Sequence, residues 1–173
     1  MVQTLISGNT KTDMSGNTVY CKALKSGYYA GGLKSDTASF GNINVTSALT
    51  LDAGKHEGLV VCMNSTTAFT ITLPSATGTG NYFDVLVTTA GTGNTILKTN
   101  GTDTLVGVIT VASTATSASA GAQSTNTTIT MNGTTTGGLA GTWFHFVDIG
   151  TNVWFVEGNA VASGTASVSG LLS

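Results

Sequence analysis

Charge is what this chain has least of: there is no arginine, and six lysines with eight acidic residues make up 8% of 173 residues. An average soluble domain carries about 25%. A nucleic-acid surface needs clustered cations to neutralise phosphates, and a net charge of −2 with no basic run offers none. Nucleic acid is therefore excluded as an expected partner. No stretch approaches the ~20 apolar residues of a membrane span, which excludes a helical anchor. Residues 1–10 lack the basic start and apolar centre of a secretory signal, so synthesis in the cytoplasm of the producing cell is expected. Cys21 and Cys62 form no C-x-x-C pair and have no histidine at ligand spacing. They read as small buried hydrophobes rather than metal ligands, with a bridge between them left open. Proline occurs once, at Pro74, and Glu and Gln occur twice each, so strong helix formers are scarce.

Threonine is the commonest residue, and there are 23 glycines. Thr and Val suit a pleated, half-buried surface, and Gly supplies turns, so the composition predicts an all-β fold. From residue 58 the alternation is explicit. Gly58 to Asn64 is a short apolar strand. In Ala68 to Pro74, Phe69, Ile71 and Leu73 alternate with Thr70 and Thr72. Asn81 to Thr89 puts Phe83, Val85 and Val87 on one face, and Tyr82, Asp84 and Leu86 on the other. Strands follow over 95–99, 104–112 and 126–132. The segments 142–149 and 152–157 read as a hairpin around Gly150. Short strands divided by Gly/Asn/Thr turns predict a sandwich, jelly roll or barrel over residues 46–173, of which an antiparallel β-sandwich is expected. Ser113 to Ser124 is small, polar and low in complexity and reads as a long loop; residues 161–173 read as a last strand or a tail.

Residues 1–45 are broken by Ser7-Gly8-Asn9, Ser15-Gly16-Asn17 and Gly31-Gly32, with one candidate strand over 18–24. The segment reads as an extended N-terminal arm that docks on a neighbour, with Tyr20, Tyr28, Tyr29 and Phe40 as its anchors. The alternative is an edge strand with surface loops of the same domain.

No catalytic constellation emerges. His56-Glu57 are adjacent and point apart, after a turn-like Asp52-Ala53-Gly54-Lys55. His145 alternates with Phe144 and Phe146, and neither histidine has an acidic partner that the sequence identifies. Asp84 lies mid-strand, where it would pair a lysine, accept from hydroxyls or line an interface. Asp103 sits in the turn Asn100 to Asp103 without the clustered oxygens of a calcium loop. There is no G-x-S-x-G, and the Gly-rich stretches open no helix that would cradle phosphate. The expectation is a non-enzyme with no cofactor and no metal, living in an assembly, since so little charge neither repels copies nor opposes docking.

Leu51-Asp52-Ala53-Gly54 running to Gly58-Leu59-Val60-Val61, then Phe69-Thr70-Ile71-Thr72-Leu73-Pro74, then Ser75 to Asn81 leading into Tyr82 to Val87, form a recognisable series. It continues through Ile96-Leu97-Lys98, Asp103 to Gly107 and Gly150-Thr151-Asn152-Val153-Trp154 to Gly158. Over about residues 49–160 this resembles the β-sandwich modules of tailed-phage virion proteins, especially capsid decoration (cement) proteins and some fibre domains. The resemblance implies a jelly-roll-like homotrimer on the capsid exterior whose partner is the major capsid protein. The alternative is a tail-fibre, spike or head-fibre domain that binds a host receptor or glycan, with Trp143 or Trp154 exposed to stack on sugar; both sit in strands, however, so core packing is the expected role of each.

Overall fold

The computed structural model describes residues 10–13, 18–21, 41–115 and 118–173. The chain divides into two units, 1–38 and 39–173. In the first, β1 (Thr10–Asp13) and β2 (Thr18–Cys21) form an antiparallel pair that sets Lys11 opposite Tyr20. The remaining proposed anchors, Tyr28, Tyr29 and Phe40, lie outside the described residues.

The second unit is built of two sheets. Its elements in chain order are β3 (Asn42–Val45), β4 (Leu49–Thr50), α1 (Ala53–His56), β5 (Val60–Asn64), β6 (Thr70–Thr72), β7 (Tyr82–Thr89) and β8 (Thr95–Lys98). Then come β9 (Thr104–Ser113), β10 (Ser119–Asn126), β11 (Thr128–Met131), β12 (Trp143–Gly150) and β13 (Val153–Ala162). The seven-stranded sheet runs β10-β9-β13-β12-β7-β5-β3, and the four-stranded sheet β11-β8-β6-β4. Because β3 belongs to the larger sheet, the unit begins before residue 46.

The all-β class is as expected, but the antiparallel jelly-roll arrangement is not what the sheets show. Among the described residues, five of the ten strand pairings are parallel. From β3 to β8 the chain gives one strand to the large sheet and the next to the small one, three times over. Each pass therefore lies parallel to the previous one, as in a short solenoid. The inward columns Ile43–Val61–Val85 and Leu49–Ile71–Leu97 are the result. The antiparallel part is the β12–β13 hairpin set beside β7, with β11 beside β8 and β10 beside β9. Its tight turn carries Asn152 at φ 61°, one of the few conformations Asn tolerates better than other residues.

Alternation puts the core between the sheets. Phe83, Val85 and Val87 of β7, Phe144 and Phe146 of β12, and Trp154 and Val156 of β13 meet Ile71, Leu97, Ile129 and Met131 of the small sheet. Trp154 is 1% exposed, lies 5.8 Å from Phe83 between ring centroids, and donates its indole N–H to the Pro74 carbonyl at 3.2 Å. Cys62 is a free, buried thiol, as expected for a small hydrophobe. No helix among the described residues is long and apolar enough to cross a membrane.

Candidate interaction surfaces

With the inward positions filled, each sheet shows one outward face, and the two differ. On the four-stranded sheet the cross-strand rows are Thr50–Thr72–Lys98–Thr128 and Thr70–Ile96–Thr130. Threonine dominates because the T-x-T pattern of β6 and β11 sends each isoleucine inward and both hydroxyls outward. Lys98 is the one charge in these rows. A shallow hollow of about 290 Å³ opens there against Leu49, Thr50, Thr70, Thr72 and Lys98.

The outer face of the seven-stranded sheet is aromatic and acidic. Its rows are Val60–Asp84–His145–Glu157–Val108, Leu86–Trp143–Asn159–Thr110 and Tyr82–Val147–Phe155–Val106. Trp143 is 42% exposed and Val108 55%. Trp154 packs in the core as expected, whereas Trp143, expected in the core as well, stands on the surface because it falls on the outward side of β12.

Here the structure supplies the acidic partner that the sequence does not reveal for a histidine. His145 Nδ1 lies 2.7 Å from Asp84 Oδ1, and the Tyr82 ring stands 5.8 Å from the imidazole. The two residues lie sixty-one positions apart in sequence and meet only because β7 and β12 are neighbours in register. Among the described residues no hydroxyl or thiol hydrogen-bonds His145. His56 is engaged elsewhere. Asp52 caps α1 by accepting from the Gly54 N–H at 2.8 Å, and its own N–H donates to His56 Nδ1 at 2.9 Å. Glu57 takes no part in this cap. Among the described residues no three His, Cys, Asp or Glu side chains gather to hold a metal ion.

The two most buried carboxylates are structural. Asp103 is fully buried and accepts from the Ala76 N–H at 2.7 Å. Asp148, 2% exposed at the inward end of β12, accepts from the backbone N–H groups of Thr77, Gly78 and Thr79 at 2.6–3.1 Å, and from the Thr79 hydroxyl at 2.8 Å. Burial alone would raise its pKa. The Thr77, Gly78 and Thr79 donors outweigh burial and hold the carboxyl below the usual aspartate value. Gly78 takes φ 80° there, and a Cβ on it would stand 3.3 Å from the Gly150 backbone. Asp148 falls in the strand read over 142–149, where nothing in the local pattern marks it as the residue that pins the loop after Pro74 to the edge of the core.

Comparison with protein-family models, with curated proteins and with solved structures found no match for this chain.

Proposed function

We propose that this protein is a structural, non-enzymatic virion protein that binds the outer surface of a phage capsid. It stabilises the shell by clamping neighbouring subunits of the major capsid protein, acting as a homotrimer. The observation that carries this reading is the threonine face of the four-stranded sheet, with five threonines, Ile96 and Lys98 across four strands. Such a face is cheap to dock. Threonine is short and stiff at χ1, so ordering it costs little rotamer entropy. Its hydroxyl both donates and accepts, so it adapts to whatever backbone groups a partner presents. With one cation in the rows, almost no ionic desolvation opposes contact. The low charge of the whole chain and the sequence resemblance to decoration modules point the same way. A protein that binds only the assembled shell stabilises it by mass action. The arm contributes Tyr20, Tyr28, Tyr29 and Phe40 as anchors, with strand addition to the coat protein as its mode of attachment.

Co-sedimentation of the full chain with intact shells tests the reading. Saturable binding at a copy number matched to the shell symmetry, with a raised shell melting temperature, is expected. Absence of binding to the shell at saturating protein contradicts it.

A further inference from the structure

On the aromatic face, a second open hollow of about 420 Å³ is lined by Val108, Thr110, Trp143, Phe155, Glu157, Gly158 and Asn159. We infer that it is a saccharide-binding subsite for a neutral hexopyranose, with Trp143 as its stacking platform. The inference is independent of shell binding, which uses the opposite sheet.

Three features of the hollow lead there. First, Trp143 is 42% exposed on a strand whose other aromatics, Phe144 and Phe146, are each 1% exposed. An indole in water is the less stable placement of a side chain that buries about 150–250 Å² when covered. Its negative π-face attracts the polarised C–H groups on the flat side of a pyranose ring. Phe155, two strand positions from Glu157, adds a second apolar wall.

Second, the polar groups around the platform have unused hydrogen-bonding capacity. The Asn159 side chain faces Trp143 across β12 and β13, and its Oδ1 accepts from the Thr110 hydroxyl at 2.9 Å. Its Nδ2 has no hydrogen-bond partner among the described residues. The Glu157 carboxylate likewise has no hydrogen bond or ion pair among the described residues, nor does the Trp143 indole N–H. An acceptor, a donor and an apolar platform on adjacent strands match the alternating hydroxyls and C–H face of a sugar.

Third, charge selects within the sugars. Glu157 stands in the hollow with no lysine in these rows, while Asp84, two strands away in the same row, is engaged by the intervening His145. A sialic acid or uronate would bring its carboxylate against Glu157, so neutral rings are favoured.

Cellobiose, maltose and lactose serve as probes in saturation-transfer NMR with the full chain. At least one should receive saturation on the protons of one ring face, with a dissociation constant near the ~1 mM of a single open subsite. Trp143→Ala should abolish the transfer, and Glu157→Gln should weaken binding at least ten-fold. Should Trp143→Ala lose its dispersed spectrum, Val108→Glu is the second variant, since Val108 is 55% exposed and a carboxylate there obstructs the same hollow. Shell co-sedimentation should be unchanged in every folded variant, which separates this inference from the capsid reading. Absence of transfer to all three disaccharides, or transfer that survives both Trp143→Ala and Val108→Glu, overturns the assignment.

Discussion

Replacing Asp148 by Asn keeps the size of the side chain and removes the charge that three backbone N–H groups and the Thr77 and Thr79 hydroxyls converge on. Hydrogen bonds to a charged group contribute about 1.5–3 kcal/mol each, against a desolvation cost of several kcal/mol for the buried ion. Asparagine retains one acceptor oxygen, but its NH2 group must face donors that now lack a partner. The expected loss is about 2–4 kcal/mol at neutral pH, a large share of the 5–15 kcal/mol that a domain typically has. The sign of the pH dependence follows from the depressed pKa of Asp148. A folded-state pKa below the unfolded value of ~3.9 gives stability that is present above that value and is lost as pH falls through the folded pKa. The gap between wild type and Asp148→Asn should thus be widest near neutrality and close progressively below about pH 4. Urea unfolding followed by tryptophan fluorescence reads this directly, because Trp143 and Trp154 both lie in the 39–173 unit. A loss below about 1 kcal/mol, or a gap of constant size from neutral to acid pH, would refute the account of the Thr77–Thr79 nest.

Gly107 lies on β9 at φ 142°, where an added Cβ would stand 1.8 Å from the Val156 carbonyl oxygen. Gly107→Ala should separate β9 from β13 and cost at least about 3 kcal/mol in urea unfolding; an unchanged midpoint would contradict the close approach. Trp154→Ala removes a buried ring and should cost about 3–5 kcal/mol, whereas Trp143→Ala at the surface should stay within about 1 kcal/mol of wild type. Equal losses at the two tryptophans would contradict their opposite placements.

Strand positions and facing were legible because period-2 alternation depends only on which side of a sheet a residue enters. Phe83, Val85 and Val87 share one face and Phe144 and Phe146 another, as the alternation predicts, and both faces prove to be the inward ones; the hairpin at Gly150 to Asn152 stands where the turn residues put it. Strand direction was not legible. The same alternation serves parallel and antiparallel neighbours, and the β3 to β8 passes show no sequence repeat that would mark a coil. The edge strand β10 was missed because Ser119 to Asn126 has small residues in place of an apolar stripe. Helix α1 is a single turn, too short to show a period; Asp52 as its cap was the available signal. The Asp84–His145 pair is a product of register between β7 and β12, which no local pattern encodes. The two surface faces were half legible. The T-x-T segments mark outward threonines, but only the sheet order assembles them into one face.

The central claim is that the threonine face docks on the shell while the aromatic face points away. Charging each face in turn tests it most directly. Thr70 and Thr130 flank Ile96 in one outward row, and Val108 stands on the opposite sheet. Co-sedimentation with intact shells should be lost in the Thr70→Glu, Thr130→Glu double variant and retained in Val108→Glu, with both proteins folded by circular dichroism. Retained binding in the double variant, or its loss in Val108→Glu alone, would contradict the account.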